Sequence, residues 1–229
     1  MTTLVAALNR LHQEARPDQL AGMARYGMAV ERRLGLSMPS IRQIAKELGR
    51  DHPLALALWS TGLAEARILA SIVADPMQVD GELMDAWVKD FDSWDVCDQV
   101  CMNLFEKAPS AWQKIDEWSR REEEFVKRAA YALLACLAWH DKKANDATFI
   151  ALFPVIRQGA SDKRNYVKKA VSWALRNIGK RNSALNKASI QEARQMHGLD
   201  SPAARWVASD VLRELESEAV QNRLTRRKF

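Results

Sequence analysis

The sequence predicts an all-α protein, and three observations carry that prediction. Alanine and leucine dominate with 34 and 24 copies. No segment alternates apolar and polar residues as a half-buried strand would. Five of the seven prolines, Pro39, Pro53, Pro76, Pro109 and Pro202, stand where a helix should begin, the position that tolerates a missing N–H and a fixed φ.

Helices are expected over 3–14 and 18–33, both rich in Ala, Leu and Arg. Pro39 opens a third over 39–50 and Pro53 a fourth over 53–73. Asp75-Pro76 precedes 79–90, and an amphipathic stretch follows over 94–107. Pro109 leads into 110–120, followed by 122–139. Over 146–158 Pro154 falls inside the pattern, where it should kink or divide the helix. The series ends with 162–180, 183–195 and, from Ser201-Pro202, 202–221. Short polar connections imply antiparallel pairs. FVKRAAYALLA from Phe125 and YVKKAVSWALR from Tyr166 coincide at an offset of 41 residues, the period of HEAT-like helical repeats. The expected architecture is therefore an α-solenoid of antiparallel helix pairs, one continuous body over 1–229. Residues 183–229 act as capping helices, and a concave face is suited to a long ligand such as DNA.

The composition of 229 residues, 48% apolar and 28% charged, excludes a disordered tail, a collagen-like fibre and a disulfide-dense mini-protein. No run of about 18 apolar residues exists to span a membrane. The opening MTTLVAALNRLHQEARPDQL has no cationic region ahead of an apolar stretch. A cytoplasmic monomer with no membrane partner is expected. Cys97, Cys101 and Cys136 read as reduced, buried thiols.

Charge is unevenly placed. Residues 161–229 hold 15 Lys+Arg against 7 Asp+Glu, leaving 19 against 22 for 1–160. Such a basic block is a candidate phosphate-contacting surface, although most charge-rich segments are simply solvated helix faces.

Helical phase isolates residues without a packing role. In YVKKAVSWALRNIGK the stripe Val167, Val171, Ala174, Leu175 and Ile178 is apolar, while Trp173 lies on the opposite side with Lys169, Arg176 and Lys180, where it either packs on a neighbouring repeat or faces a ligand. Arg128 likewise shares no face with the apolar residues of its helix. Conversely, in FDSWDVCDQVCMNLF a carboxylate, Asp98, falls in the row Trp94, Cys101, Phe105. Asp98 is either a structural Asp pairing across repeats or a carboxylate held beside an aromatic wall to stabilise cationic chemistry. His12, His52, His140 and His197 are scattered, the cysteines lack partner ligands, and no Gly-rich loop exists. Metal and cofactor are accordingly not expected.

These residues lie in segments that resemble a known family. MARYGMAVERRLGLSMPSIRQIAKEL from Met23, SWDVCD from Ser93, FVKRAAYAL from Phe125 and KKAVSWALRNIGK from Lys168 are similar, in order and spacing, to the AlkD-type bacterial DNA glycosylases of alkylation repair, built of HEAT-like repeats. The resemblance covers about residues 20–182. It implies a lesion site of Trp94, Asp98, Trp173, Tyr26 and Arg128. The implied substrate is double-stranded DNA containing alkylated bases, from which N3- and N7-alkylated purines are excised with Asp98 as the catalytic carboxylate. Lys168, Lys169, Arg176 and Arg42 are the expected phosphate contacts. A non-catalytic binder of damaged or branched DNA and a protein-interaction scaffold are the alternatives.

Overall fold

The computed structural model describes residues 3–226. All regular structure among them is helical. Two compact units divide the chain, Met1–Ala111 and Trp112–Phe229.

The first unit contains α1 (Leu4–Gln13), α2 (Leu20–Arg25), α3 (Met38–Leu48), α4 (His52–Ser60), α5 (Ala64–Val73), α6 (Gly81–Lys89) and α7 (Trp94–Asn103). Short side chains cap the helices where the sequence punctuates them: Thr3, Ser37, Asp51 and Asp80 each accept a backbone N–H from their first turn. α5 packs against α3, α4 and α7, so Ile68, Leu69 and Ala70 are fully enclosed. Trp59 and Trp87 stack at 3.9 Å and 6° over Phe91 and Phe105, and the Trp59 indole donates to Asp90 at 2.8 Å.

In this unit two expected helices differ from the sequence reading. The span 53–73 is divided into α4 and α5 by Gly62, whose φ of 72° lies in the left-handed region. The helix expected over 18–33 is reduced to α2, and residues 26–37 form an irregular loop. Gly35 shows why a helix cannot continue there: its φ is 85°, and an added Cβ would lie 2.1 Å from the carbonyl oxygen of Arg16.

The second unit begins with α8 (Ala111–Ser119, whose first residue closes the first unit) and continues through α9 (Glu124–His140), α10 (Asp146–Ile150), α11 (Phe153–Ala160), α12 (Asn165–Gly179), α13 (Ser183–His197), α14 (Pro202–Leu215) and α15 (Glu218–Arg226). Pro154 divides the expected 146–158 helix by starting α11, and the span 202–221 is likewise divided, into α14 and α15. α9 packs along α12 and α12 along α14, burying Leu133, Leu134, Leu137, Val167, Val171, Ala174, Leu175, Ile178, Val207 and Val211. The 41-residue sequence repeat is thus a repeat of packing. Equivalent helices are cross-linked by polar side chains: Asn177 donates to the Ala135 carbonyl at 3.0 Å, and Ser172 to Asp210 at 2.6 Å. Residues 183–226 add α14 to this stack. The three cysteines are buried and form no disulfide.

Candidate functional site

In the first unit the loop 26–37 presents Tyr26, and its shape is dictated by two buried ionic anchors. Glu65 is completely enclosed, and its carboxylate accepts the backbone N–H groups of Leu34, Gly35 at 2.8 Å and Leu36. Consecutive N–H groups converging on one anion form a nest, which satisfies both a buried charge and a strand of unpaired donors. Arg33 is the second anchor. Its guanidinium grips Asp95 bidentately at 2.8 and 2.9 Å and donates to the Ala29 carbonyl at 2.8 Å. Ser93 completes this link, donating to Asp95 at 2.5 Å and accepting from the Ala29 N–H at 3.2 Å. Its hydroxyl is thereby withdrawn from capping α7.

These anchors join the loop to the start of α7, where the Trp94 indole N–H donates to the Tyr26 carbonyl at 3.0 Å. The Tyr26 ring is 79% exposed. Asp98 lies one helical turn beyond Trp94, and both are half-buried, whereas Cys101 and Phe105 in the same row are wholly buried. An exposed phenol, an indole and a carboxylate are thus grouped at one edge of this unit. Aromatic faces attract cations and a half-buried carboxylate is only partly screened, so the group suits a ligand that carries or develops positive charge. Arg42 is exposed on α3.

Asp95, in the same segment as Asp98, is held by Arg33. Glu65, between two alanines, and Arg33 carried no sequence signal beyond their charge, because their partners lie 31 and 62 residues away.

In the second unit α12 carries Trp173, half-buried on the side away from the enclosed stripe, and Lys169, exposed. Lys168 places its ammonium 4.9 Å from the ring centre of Trp206 on α14. Two expected contacts are placed differently. Arg176 is engaged by α14: it donates to Glu214 and lies 3.5 Å from Asp210. Lys180 joins the same carboxylate at 2.6 Å. Burial alone would raise the carboxyl pKa of Glu214, but the hydrogen bonds from Lys180 and Arg176 hold it below the usual range. Arg128 is only 6% exposed and donates to the Tyr166 carbonyl at 2.6 Å, beside the Phe125–Tyr166 ring pair at 5.5 Å. The flank of α9 that Arg128 occupies is covered by the first turn of α12. Lys127 and Arg164 converge on Asp162, at 3.5 and 2.6 Å, and Asp162 titrates below its usual value because their attraction outweighs burial.

Among the described residues no group of three His, Cys, Asp or Glu is placed to hold a metal, and no helix is long and apolar enough to cross a membrane.

Stacked helix pairs joined by inter-repeat polar links define a HEAT-like repeat protein. The sequence model of the DNA alkylation repair enzymes matches residues 7–192, and the chain belongs to that family. A solved structure described as "a new family of proteins related to the HEAT-like repeat DNA glycosylases with affinity for branched DNA structures" superposes with a TM-score of 0.77 at 17% identity, over 93% of this chain and 96% of its own. An engineered protein (TM-score 0.44, 14% identity, 94% and 99% coverage) and a designed armadillo repeat protein (0.35, 14%, 90% and 98%) are more distant. No curated protein matches the chain by sequence.

Proposed function

We propose that the protein is a DNA glycosylase that hydrolyses the N-glycosidic bond of cationic N3- and N7-alkylated purines in double-stranded DNA. The observation that carries the reading is the Tyr26–Trp94–Asp98 group, in which two aromatic side chains and a half-buried carboxylate stand together on a loop and helix fixed by the Arg33–Asp95 and Glu65 anchors. An alkylated purine of this kind is already positively charged, so its glycosidic bond is weakened and the base departs neutral. Little acid catalysis is required. The remaining demand is to stabilise the oxocarbenium-like sugar and to guide a water to the anomeric carbon; the attacking water then gives one of its protons to solvent. Asp98 supplies the negative charge, and Tyr26 and Trp94 offer π faces worth about 0.5 to 2 kcal/mol each to a cation. The group stands at an open edge, so the reading needs no closed base-flipping pocket. Lys168, Lys169 and Arg42 contact backbone phosphates, and Trp173 packs against the bound strand; such contacts position the duplex and read no sequence. The protein acts as a monomer without cofactor.

A second reading, a non-catalytic binder, is favoured by one observation: the HEAT-like relative with the same fold is described by its affinity for branched DNA. Release of 7-methylguanine or 3-methyladenine from methylated duplex, in the presence of EDTA, separates the two. Release above the spontaneous rate supports excision. Saturable DNA binding with release at only the spontaneous rate would leave the second reading.

A further inference from the structure

In the second unit α12 and α14 meet through three rungs, each joining residues 38 positions apart. Lys168 faces Trp206, Ser172 faces Asp210, and Arg176 faces Glu214. The spacing of four residues on both helices puts each set of three on one face, so the helices run parallel in a fixed register. The second and third rungs end on carboxylates. Asp210 accepts from Ser172 at 2.6 Å and from Arg213, with Arg176 3.5 Å away. Glu214 accepts from Arg176, and from Lys180 at 2.6 Å.

The first rung has an indole where the others have an acid. The ammonium of Lys168 lies over the Trp206 ring, 4.9 Å from its centre, and among the described residues it forms no ion pair. The acids of α14 are Asp210 and Glu214, and both are engaged in the other two rungs. This difference decides what each rung can do. A carboxylate fixes a cation and offsets its charge, as Glu214 does for Arg176 and Lys180. The face of an indole attracts an ammonium through its quadrupole and carries no net charge, so Lys168 is held in place with its positive charge undiminished. A lysine already held has less rotamer freedom to lose when it meets an anion. The rung is also open to solvent: Trp206 is 39% exposed, and Lys169, next to Lys168, is exposed as well.

We propose that Trp206 is a positioning residue for DNA binding: it holds Lys168 as a charged contact for a backbone phosphate, and it carries the DNA-facing surface from α12 onto the first half of α14. The second and third rungs are structural ties whose charges are spent within the fold. The first rung leaves an ammonium, with three donors, for an anion from outside. α14, expected from the sequence to be a capping helix, thereby takes part in binding. The inference rests on the DNA-binding part of the function proposed above and not on base release, because a phosphate contact is common to every duplex.

The test uses the full chain, an undamaged fluorescent duplex and anisotropy titrations over a series of salt concentrations. Trp206→Leu is expected to weaken binding about two- to fivefold, the range of one exposed cation–π pair. Trp206→Phe, which keeps an aromatic face, recovers part of that loss. Lys168→Gln lowers the slope of log K against log salt by about 0.9, the share of one phosphate contact, and in its background Trp206→Leu makes no further difference. This dependence separates positioning from packing, since a tryptophan that only docks α14 on α12 would weaken binding by the same factor with Lys or Gln at position 168. Melting temperatures establish that the variants are folded. Equal factors in the two backgrounds, wild-type affinity for Trp206→Leu, or a wild-type slope for Lys168→Gln overturns the proposal. Wild type without salt-dependent duplex binding overturns the DNA reading together with it. The duplex carries no lesion, so the result is separate from base release.

Discussion

The indole N–H of Trp94 donates to the backbone carbonyl of Tyr26 across 68 residues of sequence, at 3.0 Å. The bond is directional: it fixes where the exposed Tyr26 ring starts from, relative to the helix that carries Asp98. It exists because residues 26–37 are not helical, so the carbonyl of Tyr26 is not committed to an intrahelical partner.

The loop owes that shape to Glu65, which gives a first prediction. Glu65→Ala leaves the buried N–H groups of Leu34, Gly35 and Leu36 without their acceptor. At about 1 kcal/mol or more for each, the expected loss is about 3 kcal/mol, or about 6 to 12 °C in melting temperature for a chain of this size. Thermal unfolding followed by circular dichroism measures it. A shift under a degree would mean that the loop is held from elsewhere.

The basic face of α12 yields a second. Lys169→Glu should reduce the slope of log K against log salt for duplex binding by about 0.9, the share of one released phosphate contact. Arg176→Gln should behave differently, because its guanidinium is already engaged by Glu214 and Asp210. Its slope should stay at the wild-type value while the melting temperature falls by about 2 to 4 °C, as loss of ~1 kcal/mol gives. Anisotropy titrations between low and moderate salt decide the matter. A flattened slope for Arg176→Gln would show that DNA displaces its partners.

Residues within one helix were legible in the sequence, and those whose roles depend on a distant partner were not. The buried stripe Val167, Val171, Ala174, Leu175, Ile178 followed from the 3.6-residue period, since each of these is fully enclosed. Trp173 and Lys169 were placed off that stripe by the same arithmetic. Phase gives only a direction from a helix axis, however, and cannot say what lies there. Arg128 points at the carbonyl of Tyr166, and Arg176 at Glu214. Each partner is 38 residues away on the next helix of the stack. Periodicity also missed the 26–37 loop, because Ala, Met, Arg and Leu there imitate a helix while Gly27 and Gly35 adopt φ values of 75° and 85°.

Glu214 makes acid sensitivity a third prediction. Its folded-state pKa lies below the unfolded value because Lys180 and Arg176 bond the carboxylate. The unfolded chain therefore binds the proton first as pH falls. The stabilisation is complete above the ordinary Glu value and is lost as pH falls through the depressed one. Glu214→Gln should melt below wild type by about 2 to 4 °C at neutral pH, and the difference should shrink toward zero as pH falls below the usual Glu range. A gap that is constant across this range would assign the effect to packing and not to charge.

The last prediction concerns Asp98 and the charge of the lesion. Asp98→Asn preserves shape and much of the hydrogen bonding while removing the negative charge. If Asp98 stabilises a cationic sugar, single-turnover release of 7-methylguanine should fall by about 10² to 10³, the scale of losing one preorganised electrostatic stabiliser. Duplex affinity should be nearly unchanged, because phosphate contacts supply most of it. The anchoring pair Arg33–Asp95 gives the comparison: Asp95→Asn breaks a bidentate buried ion pair, so it should lower the melting temperature together with the rate. Neutral bases complete the argument. Uracil and hypoxanthine leave only after protonation, which an ionised Asp98 acting through its charge does not supply, so both should be released far more slowly than 7-methylguanine. Rapid uracil release, or an Asp98→Asn protein as fast as wild type, would remove Asp98 from the chemistry and leave it as a residue of the DNA-facing edge.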